Sequence, residues 1–316
     1  MKIFITGISG FIGFHLAREL KAYGHDVLGC DNYNSMYDPS LKISRYKILE
    51  MSKISVENVD IGPQPGVKRL SEDMIQDCDV IVHLAAWAGV RHSLEQPNVY
   101  TKNNIMGTQT IIDIAEKLNI PVVYASSSSV YAGQTPPFME DMNFTHHLNP
   151  YAWSKYVNEC QFKHSNVPSS IGFRFFTVYG PYGRPDMALH GFTNKIIKDE
   201  PIEVFGHGDM SRDFTYVQDI VNGVQLLIDK VSEIDDHQIY NIGSGESVPL
   251  MSFVRLIEEN LDRKAKINYV DMHPADIRHT LADITEIKRL GYRPMTSIET
   301  GIRSFISWYK DYYNKN

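Results

Sequence analysis

The stretch Lys2-Ile3-Phe4-Ile5-Thr6-Gly7-Ile8-Ser9-Gly10-Phe11-Ile12-Gly13 constrains the fold of this chain more than any other. A short apolar, β-rich run leads straight into three glycines spaced Gly-x-x-Gly-x-x-Gly, and a helical pattern follows over residues 14–23. Strand, glycine turn and helix in immediate succession allow a tight turn and close backbone approach. The free amides at the helix N-terminus can then receive a pyrophosphate. The spacing departs from Gly-x-Gly-x-x-Gly, so the triplet alone is a weak signal, and its setting between strand and helix carries the dinucleotide reading. Gly7, Gly10 and Gly13, with Phe11 and Ile12 between them, are the candidate contacts.

The next strand, Asp26-Val27-Leu28-Gly29-Cys30, ends in Asp31, eighteen residues beyond Gly13. An acidic side chain there accepts hydrogen bonds from an adenosine ribose hydroxyl. Asn32 and Tyr33 follow, with no arginine alongside to pair with a 2′-phosphate, which favours NAD over NADP. A basic helix over 41–51 precedes a strand ending near Val59-Asp60-Ile61, and an apolar strand is expected over residues 80–86. Strands separated by helices imply a parallel sheet. At the end of that strand Leu84, Ala85, Ala86, Ala88 and Gly89 are mostly small and let a planar group pack against the backbone. Arg91 follows with a charge suited to phosphate. His83, inside the apolar run, reads as a hydrogen-bonded core residue. A helix over 99–118 carries Asn103 near its start.

The strand Val122-Val123-Tyr124-Ala125 opens into Ser126-Ser127-Ser128-Ser129-Val130-Tyr131. Four hydroxyls at the C-terminal end of a central strand lie where open α/β sheets bind ligands. No Gly-x-Ser-x-Gly pattern surrounds them, so hydrolase chemistry is unsupported. In Tyr151-Ala152-Trp153-Ser154-Lys155 a phenol and an ammonium stand four residues apart on one expected helix face. A cation close to a tyrosine lowers the phenol pKa, which suits the phenol to proton transfer near neutrality.

A chain of 316 residues, 43% of them apolar, can bury a full core in one large or two medium domains. The first domain is expected over residues 1–176, with about 213–242 returning to it. Repeated glycine and proline in Tyr179-Gly180-Pro181-Tyr182-Gly183-Arg184-Pro185 mark the start of a smaller domain, mainly 177–316. A formal charge of -7 argues against broad nucleic-acid or membrane-surface binding. Cys30, Cys78 and Cys160 indicate neither a disulfide framework nor a zinc site, and the adjacent His146-His147 lacks ligand spacing, so no metal is expected. With no leader and no apolar run of membrane-spanning length, the expectation is a soluble cytoplasmic protein.

Taken together, Gly7/Gly10/Gly13, Asp31, Asp60-Ile61, His83-Leu84-Ala85-Ala86, Asn103, the serine run, Tyr151/Lys155 and Arg212-Asp213-Phe214-Thr215-Tyr216-Val217 resemble the extended short-chain dehydrogenase/reductase family (NAD-dependent epimerases and dehydratases). The resemblance implies an α/β fold: a Rossmann doubly wound parallel sheet with helices on both faces, holding NAD, plus a smaller α/β domain for a nucleotide sugar. It implies Asp31 at the adenosine ribose, Lys155 at the nicotinamide ribose, Arg212 at the substrate diphosphate and Tyr151 as base. Ser127 would be the hydroxyl partner, with Ser126 and Ser128 as alternatives. Three stretches, Asp31-Asn32-Tyr33-Asn34 with Tyr37-Asp38-Pro39-Ser40-Leu41-Lys42, Gly89-Val90-Arg91-His92-Ser93 and 179–188, resemble the UDP-glucuronate 4-epimerase subgroup, as does Asp276-Ile277, although Ala275 and Ala132 stand where glycines are usual.

In that subgroup oxidation at C4 creates a β-keto acid, whose loss of CO2 must be suppressed. Ser128, Ser129 and Thr177, with Arg184, are the expected uronate contacts. The dehydratase branch has an Asp-Glu pair where Ser128 and Ser129 stand. The alternatives are a UDP-hexose 4-epimerase, a UDP-glucuronate decarboxylase and, more remotely, a non-catalytic NAD-binding sensor. The resemblance further implies a homodimer through two helices, with residues 98–118 and 151–163 as candidates.

Overall fold

The computed structural model describes residues 1–62, 68–142, 149–234, 236–272 and 276–314. His146, His147 and Ala275 lie outside the described residues. The strands are β1 (Lys2–Thr6), β2 (Asp26–Asp31), β3 (Ser55–Asn58), β4 (Val80–His83), β5 (Val122–Ser127), β6 (Ser170–Phe175), β7 (Thr177–Tyr179), β8 (Ile202–Phe205), β9 (Ser211–Tyr216), β10 (His237–Ile242), β11 (Ser247–Pro249) and β12 (Ile267–Val270). The α-helices are α1 (Phe11–Ala22), α2 (Ser40–Met51), α3 (Val90–Glu95), α4 (Pro97–Tyr100), α5 (Gly107–Leu118), α6 (Pro150–Lys163), α7 (Ala188–Ile197), α8 (Val217–Lys230), α9 (Leu250–Leu261), α10 (Thr285–Arg289) and α11 (Ile298–Asn314).

Seven strands form one sheet in the order β10-β6-β5-β4-β1-β2-β3, and every neighbouring pair in it is parallel. Strands buried on both faces need apolar side chains at alternate and intervening positions alike. In β1, Ile3 and Ile5 pack with Phe14, Leu16 and Leu20 of α1 and with Ile220, Val221 and Val224 of α8. Phe4 points the other way, into a cluster with Ile81, Ile111 and Ile112 of α5 and Phe162 of α6. The order reverses between β1 and β4, the place where doubly wound sheets open a crevice at the strands' C-terminal ends.

A second lobe carries the three-stranded sheet β11-β9-β7 and the two-stranded sheet β12-β8 around Phe214, Phe253, Ile257, Phe305 and Ile306. Asp213 to Tyr216 belong to this small sheet, so the chain rejoins the large sheet from Val217 onward, through α8 and then β10.

Three expected boundaries shift. The strand expected to end near Val59–Ile61 stops at Asn58, because Asp60 instead pairs with Arg69 in an isolated bridge and caps the turn to Gly62 with its side chain. The strand expected over 80–86 stops at His83, and Leu84, Ala85 and Ala86 leave the sheet as cleft-lining loop. The helix expected over 99–118 is interrupted by a π-helical turn, Thr101–Met106. That turn buries both Asn103 and Asn104, and Asn104 receives the Trp87 amide at 2.8 Å and donates to the Trp87 carbonyl and to Ser154 Oγ, each at 2.9 Å.

Candidate active site

At the β1/β4 switch the sheet opens into a cleft of about 890 Å³. The glycine turn forms its floor. Gly7 has φ +70°, its amide donates to Cys30 O at 2.7 Å, and the Gly10 amide donates to Gly7 O at 2.9 Å. A Cβ on Gly13 would stand 2.4 Å from Gly7 O, and one on Gly7 would stand 2.9 Å from the Ala85 backbone. The turn therefore requires glycine at both positions. Helix α1 starts at Phe11 with no side-chain cap at Gly10 and no acidic residue in its first turn. Its leading amides and positive helix end face the cleft without a side-chain competitor, which fits a pyrophosphate.

Asp31 closes β2, and its Oδ1 accepts the Tyr33 amide at 2.9 Å. Asn32 donates to Asp60 Oδ2 at 2.9 Å, while Asp60 Oδ1 receives the Gly62 amide at 2.7 Å. Ile61, Leu84, Ala85, Ala86 and Asn103 complete this wall. Behind it His83 is hydrogen-bonded on both ring nitrogens, to Thr6 and Thr108, and burial lowers its pKa to about 3. Sequence reasoning missed Lys42 as a site residue. Its buried ammonium lies 3.8 Å from Asp31 Oδ1 and donates to Asn34. Its place on α2, within the Tyr37–Lys42 stretch already singled out, was the available signal.

Across the cleft, β5 ends at Ser127, whose Oγ accepts the Ser129 amide at 3.1 Å and so caps the short 3-10 turn Ser128–Tyr131. Helix α6 is started by Asn149, which accepts the Ala152 amide at 2.8 Å, with Pro150 in the first turn. This start sets Tyr151 at the mouth of the helix and Lys155 one turn further in. The Tyr151 phenol shares a hydrogen bond with Ser127 and feels the charge of Arg184. Ser126 points elsewhere and donates to Glu159, which also takes a two-point pair from Arg174 at 2.9 and 2.8 Å.

The expected acidification of Tyr151 by Lys155 is corrected by the structure. Lys155 Nζ donates to the Ala125 carbonyl at 2.8 Å, and the Tyr151 pKa is raised, because desolvation outweighs the lowering by Ser127 and Arg184. Burial in turn brings the Lys155 pKa down to about 8, against the raising effect of Glu159.

Ser128, Ser129, Thr177 and Arg184 line the same cleft. Arg184 makes a two-point pair with Asp186, Nε to Oδ1 at 3.0 Å, and Asp186 is a further residue that sequence reasoning missed. At the far end Arg91 donates to Asp276 Oδ2 at 2.8 Å and lies 3.9 Å from the centre of the Phe205 ring. Arg212 stands beside them, its pKa lowered by burial and raised by Asp276. The structure thus brings every candidate site residue to one cleft, which is lined by Ser127, Tyr151 and Lys155, by the first turn of α1 and by Arg91 and Arg212.

Residues 3–243 match the NAD dependent epimerase/dehydratase family. Protein CapI of Staphylococcus aureus is 41% identical over 337 residues, spanning 100% of this chain and 100% of that protein. The UDP-glucuronate 4-epimerase of Thermodesulfobacterium geofontis is 37% identical over 314 residues, spanning 97% of this chain and 95% of that one. The crystal structure of UDP-glucuronic acid 4-epimerase from Bacillus cereus, in complex with UDP-glucuronic acid and NAD, matches with a TM-score of 0.91 at 31% identity, covering 99% of this chain and 100% of that one. From the glycine turn to the Tyr151 helix, the chain belongs to the NAD dependent epimerase/dehydratase family.

Proposed function

We propose that this protein is an NAD-dependent 4-epimerase that interconverts UDP-glucuronate and UDP-galacturonate through a transient 4-keto sugar. The observation that carries the reading is the Tyr151 phenol, hydrogen-bonded to Ser127 and facing the Arg184 guanidinium, in one cleft with the glycine turn. The likeness to UDP-glucuronate 4-epimerases along nearly the whole chain supports it.

Gly7, Gly10, Gly13 and the first turn of α1 hold the pyrophosphate of NAD. Asp31 receives the adenosine ribose, and Asn32, Asp60, Ile61, Leu84, Ala85, Ala86 and Asn103 wall the dinucleotide. When bound, NAD supplies a reversible hydride acceptor at the sugar's C4. Tyr151 takes the C4 hydroxyl proton and returns it after the keto sugar has presented its other face. Ser127 has its oxygen fixed by the Ser129 amide, which leaves its hydrogen to stabilise the phenolate. Ser126 is committed to Glu159, which favours Ser127 as the partner. Lys155 orients the nicotinamide ribose.

Ser128, Ser129 and Thr177 donate to the uronate, and Arg184 adds a positive charge. Together they keep the carboxylate ionised, hydrogen-bonded and turned so that its C–C bond does not align with the C4 ketone. Arg91, Arg212 and Asp276 hold the UDP. The domain division that accompanies this reading assigns residues 1–176 and the segment rejoining the large sheet to NAD, and most of 177–316 to the nucleotide sugar. A homodimer through residues 98–118 and 151–163 is supported by the exposure of Met106 and Trp153 on those helices. Cytoplasmic operation accords with three unpaired cysteines. Among the described residues no helix is long and apolar enough to cross a membrane.

The test is a substrate panel of UDP-glucuronate and UDP-glucose followed through the anomeric NMR signals. UDP-galacturonate formation is expected. A UDP-pentose as main product would replace epimerisation with decarboxylation, and turnover of UDP-glucose alone would make the substrate a neutral hexose.

A further inference from the structure

Among the described residues Arg45 is the largest side chain buried to below 2% exposure, and the reaction outlined above gives it no part. It lies on α2, and its guanidinium has no carboxylate partner among the described residues. Burying a cation in this way is expensive, and an apolar side chain would fill the same volume at less cost. Its hydrogen bonds reach three separate segments around the cleft. Nη1 donates to Ser9 O, inside the glycine turn, at 3.1 Å and to the Tyr37 hydroxyl at 2.9 Å. Nη2 donates to Tyr182 O at 2.5 Å.

A second donor takes the adjacent carbonyl of the same loop. His15, on α1, meets Pro181 O through Nε2 at 2.8 Å, and burial lowers its pKa to about 4, so the ring is neutral and donates from that nitrogen near pH 7. The fastened loop is an unusual one. Tyr182 has φ +58° and Gly180 has φ +147°. A non-glycine residue stays in the left-handed region only where its surroundings over-determine it. Here the two carbonyl bonds do so, together with the Tyr182 ring, whose centroid lies 5.0 Å from that of Phe14 and 4.9 Å from that of Trp308. Two residues beyond Tyr182 stands Arg184.

We propose that Arg45 and His15 are positioning residues that tether the Arg184 loop to the glycine turn, so that filling the dinucleotide site steadies the guanidinium that faces the uronate. The mechanical part of this inference rests on geometry alone. Its consequence for product identity rests on the functional reading above. If the loop loosens, Arg184 no longer holds the carboxylate out of alignment with the 4-ketone. The C–C bond then breaks heterolytically, its electron pair passes into the ketone as an enolate, CO2 leaves, and a proton from solvent completes a 4-keto pentose.

The test uses full-length wild type, Arg45→Met, Arg45→Lys and His15→Phe, each checked for melting temperature and bound NAD. Hydrogen exchange of the amides at 180–187 is followed in protein stripped of NAD and again after NAD is restored. NAD should slow their exchange at least tenfold in wild type and by much less in Arg45→Met and His15→Phe, with Arg45→Lys intermediate. NMR of UDP-glucuronate reactions should show the decarboxylated share of product, the UDP-4-keto-pentose together with the UDP-pentose formed from it by return of the hydride taken from C4, rising at least tenfold in the same order. Equal NAD-dependent protection in wild type and variants would overturn the tether, and lower activity at an unchanged product ratio would overturn its consequence for product identity. Absence of UDP-galacturonate from wild type, with the exchange pattern as expected, would instead remove the functional reading and the product consequence while leaving the tether in place.

Discussion

Lys155 spends its ammonium on the main-chain oxygen of Ala125, 2.8 Å away, and not on the phenol of Tyr151 that precedes it by one helical turn. The bond joins α6 to the end of β5, beside the serine run. Tyr151 therefore owes its acid–base character in this state to Ser127 and Arg184, against a desolvation effect that holds the proton on. Replacing Tyr151 with Phe should lower kcat by about 10³-fold, within the range for loss of a positioned acid–base group. Bound NAD should be retained. Single-turnover assays and the absorbance of cofactor released on denaturation check both outcomes.

Ser127 and Ser126 should separate cleanly. Removing the Ser127 hydroxyl takes away a hydrogen bond that lowers the phenol pKa, so the rising limb of the pH–rate profile should move to higher pH, with kcat/KM down about 10²-fold near neutrality. Ser126→Ala should leave that limb in place. It removes one donor to buried Glu159 and should lower stability by about 1–3 kcal/mol, measured by urea unfolding.

Gly13→Ala places a methyl group 2.4 Å from Gly7 O, a contact that the backbone must move to relieve. A loss of about 1–3 kcal/mol in stability and loss of co-purifying NAD are expected. Gly191, in α7, has nothing within 4 Å of a built Cβ. Gly191→Ala should be stabilising by about 0.5–1 kcal/mol. Thermal melts of the two variants should shift in opposite directions.

Acid should destabilise the fold through buried neutral histidines. His83 has its pKa lowered from 6.5 to about 3, and His190 from 6.5 to about 4, chiefly by burial. Each folded pKa lies below the unfolded value, so below pH 6.5 the unfolded chain takes up protons that the folded chain refuses. Their contribution is complete above that pH and falls as pH drops towards 4. Two protons correspond to a slope of about 3 kcal/mol per pH unit inside the window. Denaturant midpoints should be flat near pH 7 and fall steeply below 6, and His190→Gln should make the fall shallower.

The sequence made the large sheet and one wall of the cleft legible because their signals are local. Gly7, Gly10, Gly13 and Asp31 are named by their distance from a strand end, and Tyr151 and Lys155 by helical spacing. Contacts made across the chain were not legible. Lys42 reaches Asp31 from another helix, Arg45 joins segments 36 and 137 residues away, and β9 finds its place only by pairing with β7 and β11. The proton affinity of Tyr151 was misjudged for the same reason. Spacing put an ammonium on the right face, but a backbone oxygen that spacing does not reveal is nearer to it.

The π-helical turn at Thr101–Met106 has a consequence of phase. One surplus residue advances the following helix by about 100° relative to an unbroken one. Within the turn the chain presents Asn103 and Asn104 inward, and downstream it presents Ile111, Ile112 and Ala115 to the sheet. A single rod with one constant pitch would have to surrender one of these two alignments. The surplus residue lets the segment serve a polar wall and an apolar floor in succession, so deleting one residue from this turn would disturb the cleft more than a deletion in the loops around it.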